Sequence, residues 1–198
     1  GRYTQVLRDG LPLYAGLSGD FGILQIQPLD LQQIELIKGP ASTFFGGGAI
    51  AGVVNFISKT PGAKPEHAVT INQTTLGETN ATLWFSGRNK HLGYTFFGAA
   101  SRGMAQDVDK DNFTDLPRLR TATLHPRLFY YPKSGGQIAI GLTLTAENRR
   151  GGDLLAVQGR PDSMHTYVEK NAFDRSIADL QYRQKTKNAG EWTAKAAI

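Results

Sequence analysis

Three aspartates at alternate positions, Asp107, Asp109 and Asp111, with Asp115 beyond them, are the most metal-like grouping in this sequence. Carboxylates so spaced can wrap a hard cation such as calcium in oxygen ligands. The helix-flanked calcium loop, however, wants Gly where Asn112 stands and Glu where Arg118 stands. The expectation is an acidic, solvated loop and no cofactor, with calcium as the alternative. His67, His91, His125 and His165 have no zinc-ligand spacing, and there is no cysteine to join them. The absence of cysteine also excludes disulfides, thiolate metal sites and cysteine nucleophiles. Gly46-Gly47-Gly48 lacks the Lys-Ser/Thr of a phosphate loop, and Gly52 follows at the wrong distance for a dinucleotide turn. No nucleophile-elbow motif places a serine. These residues predict no enzyme.

The elements around them fall into two periodic regimes. In residues 1–61 the punctuation is Gly and Pro, which is how a chain turns sharply between short elements. Strands are expected at 4–7, 34–37 and 52–57, with an Asp9-Gly10 turn and a short helix at 41–45. Residues 30–33 read as the cap of a turn leading into the strand at Ile34. Residues 14–22 are Gly-rich with two aromatics, the composition of a loop. From residue 68 the period becomes two. Ile138, Ile140, Leu142, Leu144 and Ala146 alternate with Gln137, Ala139, Gly141, Thr143 and Thr145. Ala122, Leu124, Leu128 and Tyr130 likewise oppose Thr121, Thr123, His125, Arg127 and Phe129, and Ala81, Leu83 and Phe85 oppose Thr82, Trp84 and Ser86. One side of each strand is oily and the other small or polar.

About seven such strands are expected, near 68–76, 79–88, 92–102, 119–131, 137–147, 167–184 and 191–198. The connections at 88–91, 132–136 and 185–190 are short. Those at 103–118 and 147–166 are long and polar. Short turns at one end and long loops at the other are the layout of an outer-membrane barrel. No run of apolar residues is long enough for a transmembrane helix, which leaves a membrane barrel open. Alternating strands alone would also fit a soluble β-sandwich. The net charge of +5 would suit an anionic partner, yet the basic residues are dispersed and no basic cluster interleaved with aromatics points to nucleic acid.

The first segment decides between these. Residues 34–61 read Ile-Glu-Leu-Ile-Lys-Gly-Pro, then Ala-Ser-Thr-Phe-Phe-Gly-Gly-Gly-Ala-Ile-Ala-Gly-Val-Val-Asn-Phe-Ile-Ser-Lys-Thr-Pro. The pattern carried by Glu35, Lys38, Gly39, Pro40, Gly46, Gly52 and Asn55 resembles the signature of the plug domain of TonB-dependent outer-membrane receptors. Val6-Leu7-Arg8-Asp9-Gly10 is similar to another strand-turn of the same domain.

The resemblance implies a mainly β fold: a small α/β plug, then antiparallel transmembrane β-barrel strands in an incomplete barrel. The plug portion would cover 1–65 and the barrel portion 66–198. Seven strands are too few to enclose a plug, and the chain begins in mid-pattern at Gly1, so a piece of a longer receptor is expected. The implied function is import of a scarce nutrient (ferric siderophore, haem, cobalamin, glycan or peptide) across the bacterial outer membrane. The implied partners are a TonB-type periplasmic energy transducer, outer-membrane lipid and lipopolysaccharide, and a surface lipoprotein. The alternative is a non-transporting ligand binder built on the same plug. Tyr14, Ser18, Asp20 and Phe21 would lie in an apical plug loop and contact ligand. Arg88, Arg127, Glu147, Asp179 and Arg183, on the polar side of the strands, would grip the plug, and the signature charges would pair across that contact. The histidines would be solvated or face the lumen.

Overall fold

The computed structural model describes residues 3–13, 28–39, 45, 49–186 and 190–198. Two sheets make up the fold. The small one has the order β2-β1-β4-β3. Its strands are β1 (Thr4–Arg8), β2 (Leu11–Pro12), β3 (Leu31–Lys38) and β4 (Gly52–Ser58). Strands β1 and β4 run parallel, with Val6 opposite Val54, while β3 is antiparallel to β4. Asp9 and Gly10 both have positive φ, 51° and 80°, which closes a two-residue hairpin between β1 and β2. The apolar centre of this sheet is Leu7, Ala49 and Val53, with Phe45 packed against them.

Strand β3 begins three residues earlier than expected, at Leu31, and residues Pro28–Asp30 form a 3₁₀ turn. Asp30 does not cap a following turn. Its carboxylate is engaged elsewhere, and Leu31 already pairs with Ser58.

The large sheet is a seven-stranded antiparallel meander in sequence order. It comprises β5 (Glu66–Gln73), β6 (Thr79–Arg88), β7 (Leu92–Gly103), β8 (Arg118–Tyr130), β9 (Gly136–Gly152), β10 (Val168–Lys185) and β11 (Glu191–Ala197). These are the seven expected strands, shifted by a few residues at their ends, except that β9 runs on to Gly152. Its edges, β5 and β11, are not joined, so the described residues form no closed barrel.

The two faces of the large sheet are buried in the opposite sense to a soluble protein. On β8 and β9 the apolar residues Leu128 and Ile140 are 67% and 58% exposed, whereas His125 and Arg127 are 2% and 3% exposed. Val69, Ile71, Leu124, Leu142, Leu144 and Leu180 join the exposed set. Water would not select this arrangement, because an oily face of this extent must be covered. The polar face covers the small sheet, and the apolar face looks outward.

The long connections are also built. Between β7 and β8, Gln106 pairs with Leu116, and Phe113 pairs with Asp153 of the β9–β10 connection. Phe113 stacks on Tyr167 with ring centres 6.0 Å apart, so the two long loops form one unit. A single helical turn, α1 (Leu154–Val157), follows Asp153.

Candidate functional site

The two sheets meet through charged groups rather than through a continuous oily core, and that contact is the candidate site. Arg8, at the end of β1, donates from Nη2 to Asp30 Oδ2 and from Nε to Ser58 Oγ at 3.1 Å. From the other side, His125 on β8 places Nδ1 2.7 Å from the same Asp30 oxygen. An ionised carboxylate only accepts, so Nδ1 must carry the proton it donates to Asp30. The approach of Arg8 Nη2 to that nitrogen, at 3.0 Å, is then a contact and not a second hydrogen bond. Asp30 is 2% exposed. Burial alone would raise its pKa, but the His125 hydrogen bond and the Arg8, His125 and Arg127 charges together hold it below the ordinary carboxylate value.

The hairpin turn supplies the second anchor. Asp9 accepts the Ser58 amide through Oδ1 at 2.8 Å and turns Oδ2 toward Arg127 Nη2, 3.7 Å away on β8. The Asp9 carbonyl accepts from Lys195 Nζ on β11. A third link lies at the exit of β4, where Lys59 Nζ sits 5.2 Å from the centre of the buried Trp84 ring of β6. Between hairpin and wall is a cavity of about 50 Å³ bordered by Arg8, Asp9, His125, Arg175 and Asp179. Its size suits one or two water molecules. A contact of this kind, charged, hydrogen-bonded and wettable, can be taken apart and remade more readily than an apolar core.

The expected wall residues separate into groups. Arg127 meets the small sheet directly, and Asp179 borders the cavity against it. Arg88 lies over the Tyr131 ring at 3.5 Å, and Arg183 pairs with Glu191 at 3.2 Å within the large sheet. Glu147 pairs with Arg149 of its own strand.

The signature residues within 34–61 that the structure describes prove to be internal architecture. Glu35 faces Asn55 across the β3–β4 ladder and accepts its side-chain amide at 2.8 Å. Asn55 Oδ1 in turn accepts from the Gly10 amide at 2.9 Å, tying three strands together. The signature charges therefore do not pair across the contact: Glu35 is used within the small sheet, and Lys38 is exposed with no ion-pair partner among the described residues. Gly39 and Gly52 have φ of 90° and 142°, and a Cβ on Gly52 would lie 2.3 Å from the Ile37 carbonyl oxygen. Only glycine fits there. Pro40 and Gly46 of the signature, and Tyr14, Ser18, Asp20 and Phe21 of the predicted ligand loop, lie outside the described residues.

The acidic loop gathers differently from its spacing. Carboxylate oxygens of Asp107, Asp109 and Asp115 lie within 4.8 Å of one another, and Asp111 is not in the set. Positive φ at Lys110 and Asn112 reverses the chain, which brings Asp115 back onto the Val108 amide at 2.6 Å. Asp111 instead accepts from the Phe113 amide at 2.7 Å. Partial desolvation and the Asp111 and Asp115 charges raise the Asp109 carboxyl. These carboxylates serve their own backbone amides.

Asp30 and His125 were not legible as partners in the sequence. The only signals were a histidine on the polar side of an alternating strand and an aspartate just ahead of another strand.

Comparison with known proteins follows the same division. Residues 1–53 match the family model described as TonB-dependent Receptor Plug Domain. The whole chain superposes on solved receptors. The ferric enterobactin receptor PfeA of Pseudomonas aeruginosa gives a TM-score of 0.74 at 18% identity, covering 99% of this chain and 32% of that one. The siderophore receptor PirA of the same organism gives 0.72 at 19%, covering 99% and 32%. The ferric-catecholate import receptor Fiu of E. coli K12 gives 0.72 at 12%, covering 99% and 31%. At these identities the likeness is one of fold, and the chain spans about a third of the length of those receptors.

Proposed function

We propose, for a chain that carries a TonB-dependent receptor plug domain followed by strands in the fold of these outer-membrane receptors, that it belongs to an active importer of ferric siderophores. Receptors of this family lie in the Gram-negative outer membrane and transport rather than catalyse. The observation that carries the reading is the inverted burial of the large sheet. Its apolar rows face outward as a lipid-facing surface must, and its polar rows close on the plug through Arg8, Asp30, His125, Asp9 and Arg127. Two of the solved receptors of this fold are described as ferric enterobactin and ferric-catecholate receptors, which favours an iron chelate as cargo.

In this reading β1 is the strand through which force reaches the contact. A periplasmic transducer of the TonB type pulls the chain ahead of Thr4. Arg8 at the far end of β1 then has to leave Asp30, and the turn at Asp9 has to leave Arg127 and Lys195. Each step exchanges a charged contact for water, for which the small cavity beside them has room. Once the hairpin is displaced, a path opens along the polar wall between β8 and β11. Ligand capture would fall to the apical loop with Tyr14, Ser18, Asp20 and Phe21 and to the joined outer loops.

The test is uptake. A strain lacking the gene should lose growth and radiolabelled iron uptake on a ferric siderophore, and regain both only when the transducer is active. Binding of the chelate without any uptake would support the non-transporting alternative instead.

A further inference from the structure

One inward row of the wall runs directly under the tip of the plug hairpin. Cross-strand register sets Thr95 of β7, Arg127 of β8, Gly141 of β9 and Asp179 of β10 side by side. Arg127 is 3% exposed. Its Nε and Nη1 donate to no described residue, and Nη2 stands 3.7 Å from Asp9 Oδ2, too far for a hydrogen bond. A guanidinium carries five N–H donors, and leaving them unmade in a buried site is costly. The Phe129 ring, its centre 5.0 Å from the guanidinium, adds a modest attraction. Arg127 is thus held by charge, on one loose partner that belongs to the plug.

The same row holds a second anion that Arg127 does not use. Asp179 leans over Gly141: a Cβ on that glycine would lie 2.1 Å from Asp179 Oδ2 and 2.9 Å from its Cγ. The carboxylate therefore fills the slot that a side chain at position 141 would take. Gln181 donates to Oδ1 at 3.1 Å, and Oδ2 accepts from no described residue. Asp179 forms no ion pair among the described residues. Neighbouring strands stand about 4.8 Å apart, so the lean brings the carboxylate within about one strand spacing of the Arg127 backbone. An unbranched arginine side chain can cross that gap, and Gly141 keeps it open.

We propose that Arg127 exchanges partners: it rests on Asp9 while the plug is seated, and swings across Gly141 onto Asp179 when the hairpin leaves. Asp179 is then the positioning residue of the opened contact. Without it, withdrawal of Asp9 leaves a wall cation uncompensated, which is the costly way to break an ion pair. With it, a loose pair at 3.7 Å gives way to a charge-assisted hydrogen bond. The exchange rests on the reading that this contact opens during import, and not on which chelate is carried.

The swing can be tested without transport. In D9N of the full receptor, the side chain keeps its bond to the Ser58 amide but loses the charge. Asparagine accepts the positive φ of this position, so the hairpin should stay seated. A crystal structure of that variant should show Arg127 hydrogen-bonded to Asp179 with β1 and β4 in place. Arg127 left where it is, or Lys195 on Asp179 in its stead, would overturn the proposal. The consequence for import is read from rates. D179N should leave chelate binding and the resting amide exchange of β1 and β4 as in wild type. Its maximal uptake rate should fall by about tenfold or more, the equivalent of one charge-assisted hydrogen bond. G141A, which pushes the carboxylate from its slot without changing any charge, should do the same, and D179E should keep most of the rate. Heat-modifiable migration reports whether each variant is folded. Wild-type uptake in folded D179N, or a loosened resting plug in that variant, would also overturn the exchange. Absence of uptake by the wild-type receptor would instead refute the import reading, and the D9N structure would still decide the exchange.

Discussion

Replacing Asp30 by Asn probes the contact between plug and wall where it is most sharply defined. The substitution keeps the shape and one acceptor oxygen but removes the charge that faces Arg8 and His125. Asp30 is 2% exposed, so water cannot take over the task. Breaking a buried ion pair from one side costs about 3–5 kcal/mol, and the remaining Asn–Arg8 bond and the 16% exposure of the Arg8 side chain bring this down to about 2–4 kcal/mol. A loss of about 3 kcal/mol corresponds to about 100-fold faster opening. Amide exchange of β1 and β4, measured against β8 and β9 in the same receptor, reads that directly. D30N should speed exchange in the plug strands and leave the wall strands unchanged. R8M/D30M/H125F should recover most of the protection, because a matched apolar set leaves neither a buried charge nor the unpaired His125 Nδ1–H behind. The pH dependence has a definite sign. The folded pKa of Asp30 is lowered, so its contribution is present above the ordinary value of 3.8 and is lost as pH falls through the lower folded value. The difference between wild type and D30N should therefore persist at neutral pH and vanish only in acid. Wild-type exchange rates in D30N at pH 7 would refute the reasoning.

Three further outcomes follow from other parts of the molecule. G52A drives a methyl group to 2.3 Å from the Ile37 carbonyl at a φ of 142° and should cost about 3 kcal/mol or more, exposing β3 and β4 to protease while β5 to β11 stay protected. L142R places a cation at the middle of the outward apolar row of β9 and should cost about 2–4 kcal/mol in folding into vesicles, whereas arginine at the inward Thr143 should be tolerated. In the β9–β10 loop, the Asp162 hydrogen bond raises His165, while Asp162 is held at about 2. Protection of that loop from protease should be complete below about pH 6.5, fall as pH rises through the raised histidine pKa, and show no such step in H165A.

The wall strands were legible because alternation is a local signal. An outward apolar row and an inward polar row differ at every second residue, and Leu128 beside Arg127 already reports both. What alternation cannot say is which row is buried against what, and it left a β-sandwich standing until the residues around Lys38 and Gly52 were considered. The contact itself escaped because its members are distant in sequence: Asp30 and His125 are 95 residues apart and share no spacing rule. Charge was visible at Glu35 and Lys38, so these looked like interface groups. The fold spends Glu35 on Asn55, because the antiparallel β3–β4 register sets them opposite each other. In the acidic loop, strict alternation suggested Asp111, but a reversal at Lys110 and Asn112 delivers Asp115 in its place. Reversals of that sort depend on two positive φ angles in non-glycine residues, which composition does not announce.

The account stands or falls on whether the Asp30–His125 contact must open for cargo to pass. None of these 198 residues is cysteine, so D30C/H125C introduces the only two thiols in this part of the receptor, close enough for a short, reducible thiol–thiol bridge. Uptake of ferric siderophore should proceed in the unbridged variant, stop when the bridge is formed, and return on reduction, with binding unchanged throughout. Undiminished uptake with the bridge quantitatively in place would contradict the account.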